Sequence, residues 1–418
     1  MTDRPDAAAF EASMRREFVN RDNLAKLFHL VLPHLGDGGP ALVYILAQTE
    51  RIGHFMIEAQ ILKSLYAGRY ERIIVITPPM DRPGTNALVR ACFGPPFVWI
   101  ETDEPVFKAM GFVDGGLADL QRLHLLLQSP RLLIVDFWRQ VVAGIRPARI
   151  DLPDDVRARG HAQLRAIGLD PDAPFAFFHM RTMKYREALQ HHGHRTASVD
   201  PYAPSIRRIL NAGYQVVRIG EPGLELEGWM GDGYVSLPDA LQDLAPGDRA
   251  ADLAVLADAA FGTAQNSGPI WVAAAFGTPT LRTNTPFEHL NLPYNRDLSL
   301  FKRYRDGGRT LGYAEILERK LPAVFRDAEF EALGVDLVEN DAGEIDGATE
   351  EFLAFMSGGA AGLSGAGWER FLSLGRAYED RIRADAHLVS ENLDFYGYAH
   401  GTAGVASVLI EGNPEFLA

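Results

Sequence analysis

Residues 261–284 read FGTAQNSGPIWVAAAFGTPTLRTN. The stretch predicts a strand–turn–helix–strand unit: an apolar strand over 259–262 after a helix ending near Asp258, a polar turn at 265–268, a small-residue helix over 269–276, and a second strand. Pro269 suits the first turn of a helix, where a missing N–H costs nothing. The N–H groups of Ser267, Gly268 and Ile270 are then expected to point out of the helix N-terminus, which favours an anion. In an open parallel sheet such a turn lies at the carboxyl ends of the strands, where doubly wound proteins bind nucleotides and phosphates.

The pattern extends in both directions. Apolar strands are expected at 41–47, 72–77, 97–100 and 132–137, with helices at 53–67, 86–92 and 118–127 between them. After a passage at 147–153 and a connecting helix at 154–167, strands follow at 175–180, 215–219 and 234–237, with a helix at 249–258. Asp200 and Pro201 open a further helix that Gly213 ends. Strands apolar throughout and alternating with helices indicate parallel sheets covered on both faces. The fold class is therefore α/β with two Rossmann-like doubly wound parallel-sheet domains. The expected division is an N-terminal helical extension at 1–37, a first domain at 38–150, a second at 151–342, and a helical tail at 343–418. The tail contains an amphipathic helix near 368–393 and is expected on the outside of the second domain or crossing back to the first.

Composition narrows the function. Of the 418 residues, 47% are hydrophobic and 23% charged, as in a globular enzyme. A net charge of -14 excludes a broad phosphate-backbone surface, so no nucleic-acid partner is expected. The one cysteine, Cys92, excludes an intrachain disulfide and fits a reducing, cytoplasmic compartment. No apolar run reaches the roughly 18 residues a membrane span needs, which leaves peripheral membrane contact open.

Three groups converge at strand ends in the second domain: His179-Met180-Arg181, Arg218-Ile219-Gly220-Glu221, and Asn266-Ser267-Gly268-Pro269. Guanidinium forks pair with phosphate oxygens, and glycine allows backbone approach, so the set predicts a diphosphate site. Arg195, beside His194, adds a further positive charge. For each arginine the alternative is a structural ion pair. In the first domain Gln48-Thr49-Glu50-Arg51-Ile52-Gly53-His54 occupies the equivalent strand-to-helix turn, and His54 and Glu50 are the candidate general bases. The run His191-His192-Gly193-His194 lacks ligand spacing. Asp81, Asp103 and Asp136 form no Asp-x-Asp pair, so no metal is expected. No dinucleotide fingerprint, phosphate loop or nucleophile elbow is present.

At these residues the chain resembles known families. Asn266-Ser267-Gly268-Pro269-Ile270-Trp271-Val272-Ala273-Ala274-Ala275-Phe276-Gly277-Thr278-Pro279 is similar to the donor-phosphate segment of heptosyltransferase-like enzymes. Asn266 stands where those enzymes carry an acid, and Trp271 where they carry a histidine. Ile52-Gly53-His54, His179-x-Arg181, His194-Arg195, Tyr202, Arg218-x-Gly220, Asp252 and Ser267-Gly268-Pro269 together resemble a bacterial glycosyltransferase family, and His-x-Arg resembles fucosyltransferases. Where the bacterial family has Arg-Asn, this chain has Arg195-Thr196.

The resemblance implies a GT-B type arrangement, two domains facing across a cleft, and transfer from a nucleotide sugar to a glycan, lipid-linked, protein or small-molecule acceptor without a cofactor or metal. It implies donor contacts from His179, Arg181, Arg195, Arg218, Gly220, Glu221, Asn266, Ser267, Gly268, Pro269 and Asn284, and nearby Glu288 and His289. The acceptor side would be near His54. A non-hydrolysing nucleotide-sugar epimerase and a non-catalytic nucleotide- or carbohydrate-binding protein share the same architecture.

Overall fold

The computed structural model of the protein describes residues 7–36, 38–181, 193–222, 231–241, 243–245, 248–287, 296–324, 326–358, 362, 364–384 and 404–418. The chain divides into two compact units, one of Met1–Pro153 with Ala245–Arg249 and one of Asp154–Leu244 with Ala250–Ala418.

The first unit begins with helices α1 (Ala7–Phe18) and α2 (Arg21–Val31). It continues through β1 (Ala41–Ile45), α3 (Ile52–Tyr66), β2 (Arg72–Thr77), β3 (Phe97–Glu101), α4 (Pro105–Met110), β4 (Gly116–Leu120), β5 (Leu123–Leu127) and α5 (Pro130–Val142). Its sheet has the order β3-β2-β1-β5-β4, parallel except for the β4–β5 hairpin. All of β1 and most of β2 are buried, as the unbroken apolar runs require.

Two expectations are corrected here. Residues 118–127, expected to be a helix, form β4 and β5, because Gln121 turns the chain at φ 70° and β5 is buried beside β1. Residues 132–137, read as a strand, lie inside α5. The signal was local: the Ser129 hydroxyl accepts the Leu132 N–H at 3.3 Å and Pro130 opens the first turn.

The second unit comprises α6 (Asp154–Ala166), β6 (Phe175–His179), α7 (Ala203–Asn211), β7 (Gln215–Ile219), β8 (Tyr234–Ser236), α8 (Leu237–Ala240), α9 (Ala250–Asp258), β9 (Phe261–Ala264), α10 (Gly268–Phe276) and β10 (Thr280–Thr285). Then come β11 (Leu298–Phe301), β12 (Arg303–Asp306), β13 (Arg309–Thr310), α11 (Tyr313–Glu318), α12 (Asp327–Ala332), β14 (Val335–Val338), α13 (Ala342–Met356), α14 (Gly365–Ala384), β15 (Gly404–Val405) and α15 (Ser407–Glu411). The main sheet runs β15-β11-β10-β9-β6-β7-β8, with parallel pairing throughout. From β8 to β11 this is the 3-2-1-4-5-6 order of a doubly wound nucleotide-binding sheet, and the winding reverses between β6 and β9.

Three details differ from expectation. The first strand of the 261–284 stretch begins two residues later, because the Ala259 N–H still closes α9 on the Val255 carbonyl at 3.1 Å. Asp200 starts a short 3-10 turn that runs into α7 and caps nothing. The tail is built into the second unit: β15 extends its sheet, and Phe352, Phe371, Tyr378, Leu409 and Phe416 are buried in its core.

Beneath the sheet reversal lies a polar knot. Tyr202, fully buried, shares its hydroxyl with Thr283 Oγ1 (2.7 Å), Asn284 Nδ2 (2.9 Å) and Gln265 Nε2 (3.4 Å). Gln265 Oε1 in turn accepts the Arg181 N–H at 2.9 Å. Removing one partner from such a network leaves buried groups unsatisfied, at roughly 1–3 kcal/mol. Tyr202→Phe is therefore expected to lower the unfolding free energy by about 1–3 kcal/mol, read from urea denaturation; an unchanged midpoint and slope would show that the knot contributes nothing to stability.

Candidate functional site

In the second unit, the carboxyl ends of β6, β7 and β9 bring three of the predicted groups to the reversal of winding. His179 is the last residue of β6 and is buried. Its Nδ1 lies 3.3 Å from the Ile219 carbonyl, so Nδ1–H donates there and Nε2 is left as an acceptor. Among the described residues Nε2 is buried without a hydrogen-bond partner. Gly220 makes room for the ring: its φ is +119°, and a Cβ there would stand 2.9 Å from His179 Nδ1.

Burial pushes the imidazole down to about 4; the Arg181 and Arg218 charges act in the same sense, and the bond to Ile219 opposes them. The ring is thus neutral at pH 7, fit to accept a hydrogen bond from a hydroxyl and unfit to pair with phosphate as a cation.

After β9 the chain turns through Gln265 and Asn266, both buried, into α10. Ser267 is the N-cap in an extended conformation without a side-chain cap bond. Ile270, expected to present its N–H, instead donates it to the Ser267 carbonyl at 3.2 Å. The N-terminal pole is left to the backbone at Ser267 and Gly268, with Pro269 having no N–H.

Other predicted residues stand in different surroundings. Arg218 is buried and donates from all three of its nitrogens: to the Glu221 carbonyl (2.7 Å), the Ser236 hydroxyl (2.8 and 3.1 Å) and Asp239 Oδ2 (2.6 Å). This is the ion-pair alternative, and the fork shapes the Glu221 turn from beneath. Asn284, at φ 49°, exchanges two 2.7 Å bonds with Asn340 and gives its Nδ2 to Tyr202. It braces β10 from within the core.

Arg181 and Arg195 are half-buried. His194 Nδ1 lies 2.6 Å from Asp327 Oδ1, and the Gly193 and His194 N–H groups bond the same carboxylate at 2.7 and 2.9 Å. Asp327 is held below the usual carboxylate range because these bonds outweigh its burial. Sequence reading missed Lys302, a buried lysine whose Nζ donates to the Thr196 carbonyl at 2.7 Å. Burial pushes its ammonium down to about 8 against the pull of Glu339 and Asp327. Asp327 and Lys302 thereby fasten the segment that carries Arg195. Glu288, His289, His191 and His192 lie outside the described residues. Among those described, no group of three His, Cys, Asp or Glu side chains could hold a metal ion.

In the first unit, the ends of β1, β2 and β3 border a cavity of about 150 Å³, lined by Ala47, Thr77, Arg82, Asp103 and Lys108 among others. Lys108 Nζ also lies 3.8 Å from Glu50 Oε1, so Glu50 stands beside this wall in a partly exposed ion pair. His54, in the first turn of α3, keeps 29% of its side chain exposed and sets Nδ1 3.1 Å from Glu58 Oε1. Glu58 is wholly buried and takes the Tyr44 hydroxyl on Oε2 at 2.7 Å. Sequence reading missed Glu58, although its spacing of four residues from His54 places both on one helix face.

No protein-family model and no curated protein matches the chain. Among solved structures it is similar to a family 9 glycosyl transferase from Veillonella parvula, at 12% identity over 77% of this chain and 99% of that one, TM-score 0.37. It is similar to ADP-heptose lps heptosyltransferase II of E. coli at 13% identity over 58% and 84%, TM-score 0.31. It is also similar to E. coli heptosyltransferase WaaC with ADP, at 11% identity over 63% and 91%, TM-score 0.35. The functional reading therefore rests on the residues of the chain itself.

The depressed His179 makes a pH prediction. An unfolded histidine titrates near 6.5, so as pH falls from about 6.5 to 4 the unfolded chain takes up a proton that the folded chain refuses. The contribution is fully present above pH 6.5 and is lost as pH falls through the folded value, up to about 3 kcal/mol in all. His179→Gln should flatten the stability–pH curve across that interval in chemical denaturation; a curve parallel to wild type would place the titration elsewhere.

Proposed function

We propose that the chain is a glycosyltransferase whose second unit holds the diphosphate of a nucleotide-sugar donor and whose first unit presents the acceptor hydroxyl to His54. The observation that supports this reading is the meeting, at one sheet reversal, of the α10 N-terminus, a close-packed Gly220 and a neutral buried histidine whose acceptor nitrogen has no partner among the described residues. Helix N-termini at such reversals favour phosphate, and a neutral imidazole acceptor suits a sugar or ribose hydroxyl. The motif resemblance of residues 266–279 to heptosyltransferase-like donor segments points the same way.

In this mechanism the leaving diphosphate is stabilised where its charge develops, by backbone N–H groups at Ser267 and Gly268 and by Arg181, with Arg195 contributing from its fastened segment. These groups supply the charge stabilisation that a divalent ion would otherwise provide, so donor binding is expected to persist in EDTA. Arg218 is a positioning residue for the Glu221 turn. His54 takes the acceptor proton as the glycosidic bond forms and the sugar–phosphate bond breaks. Among the described residues no helix is long and apolar enough to cross a membrane. The same reading has the chain act in the cytoplasm on a glycan, lipid-linked, protein or small-molecule acceptor.

Calorimetric titration in EDTA with UDP, GDP, ADP and dTDP tests it. One of these should bind, and Arg181→Ala should weaken it about 10- to 150-fold, the worth of a charge-assisted bond, while the free nucleoside is little affected. Arg181→Lys should recover part of the loss, since the charge stays and the fork is lost. Equal weakening of nucleoside and diphosphate, or binding that returns only with added magnesium or manganese, would overturn the assignment.

A further inference from the structure

Glu58 is an acidic side chain with no exposure, carried on a helix beside a histidine that is partly open to solvent. A buried carboxylate persists only where it is paired or hydrogen-bonded. Here each oxygen has one partner: Oε2 receives the Tyr44 hydroxyl at 2.7 Å, and Oε1 faces His54 Nδ1 at 3.1 Å. Tyr44 remains a proton donor, because burial above all, and then the Glu58 charge, raises its phenol well above the ordinary value.

An ionised carboxylate can only accept. Nδ1 must then carry the imidazole proton, and Nε2 keeps its lone pair. Among the described residues Nε2 bonds to no serine, threonine or cysteine, the partner it would need in a hydrolase with its own nucleophile.

We propose that Glu58 is a positioning residue that fixes His54 as the Nδ1–H tautomer, so that Nε2 serves as the proton acceptor for a substrate hydroxyl, with Tyr44 anchoring the carboxylate. The catalytic part of this assignment rests on the glycosyl-transfer reading; the tautomer does not. The hydroxyl oxygen bonds to the anomeric carbon of the sugar as the bond from that carbon to the diphosphate breaks and the nucleoside diphosphate leaves; the hydroxyl proton passes to Nε2, and the resulting imidazolium is stabilised by the Glu58 carboxylate. The logic is that of an acid–histidine pair in which the acid orients the ring and is not itself protonated.

Glu58→Gln keeps the shape and inverts the polarity. The amide oxygen would still receive Tyr44, while its NH₂ group would face Nδ1 and force the proton to Nε2, where it blocks the base. Nitrogen-15 NMR of histidine-labelled protein, with His54 assigned by its loss in His54→Gln, reads the tautomer directly. The expected result is an Nδ1–H pattern in wild type, the same pattern in Tyr44→Phe, and an Nε2–H pattern in Glu58→Gln. An Nε2–H ring in wild type, or an unchanged ring in Glu58→Gln, would overturn the proposal.

With whichever nucleotide sugar the protein turns over, kcat in Glu58→Gln should fall on the order of 10²- to 10⁴-fold at unchanged donor KM. Unchanged kcat would remove the catalytic role. If no sugar is turned over while the tautomer pattern holds, the transfer reading fails and the Glu58–His54 pairing stands.

Discussion

The Tyr202 hydroxyl is the constraint on which the second unit's site depends. Through Gln265 it reaches the backbone of Arg181 at the end of β6, and through Thr283 and Asn284 it reaches β10. The segments that follow β6 and β9 at the reversal are thus tied, together with β10, to one buried oxygen. Buried polar networks carry a high desolvation cost unless every member is satisfied, so the knot admits few alternative geometries. The turn into α10 is held from below without using the helix N-terminus itself. Arg218 acts similarly on the neighbouring turn, spending its donors on Ser236, Asp239 and the Glu221 carbonyl.

The first unit uses a different device for the same purpose. One turn of α3 places His54 four residues before Glu58, and β1 supplies Tyr44 from beneath. The imidazole is oriented through Nδ1 while 29% of the side chain stays exposed. A general base needs both conditions, a fixed tautomer and access for the reacting group. Lys108, which lines the cavity at the ends of β1 to β3, lies 3.8 Å from Glu50 Oε1.

The sequence made the second unit's strands and its 261–284 element legible because their apolar runs are bounded by strong punctuation: Gly213 after α7, Gly277 in the left-handed region after α10, and Pro269 at its start. It misled at 118–137, where the stretch expected as a helix belongs to a hairpin and the stretch expected as a strand belongs to a helix. There the deciding signals were single residues, Gln121 at the turn and Ser129 at the cap, and tertiary burial against β1 outweighed propensity. Among the site residues, His179, Gly220 and Ser267 could be placed at strand ends from pattern alone. The roles of Arg218 and Asn284 could not, since whether a polar side chain faces a ligand or a core partner depends on residues 18 and 56 positions away. Glu58 and Lys302 were missed for the same reason: burial turns an ordinary charged residue into a committed one, and burial is not local.

The central claim, a donor-phosphate site at the reversal of the second sheet, is tested most directly by hydrogen–deuterium exchange with and without a saturating nucleoside diphosphate. The account predicts slowed exchange concentrated in peptides spanning 179–181, 219–221 and 265–270, with the outer strands β8 and β11 unchanged. Protection confined to the first unit, or no protection in these three segments under conditions where calorimetry shows the nucleotide bound, would contradict it.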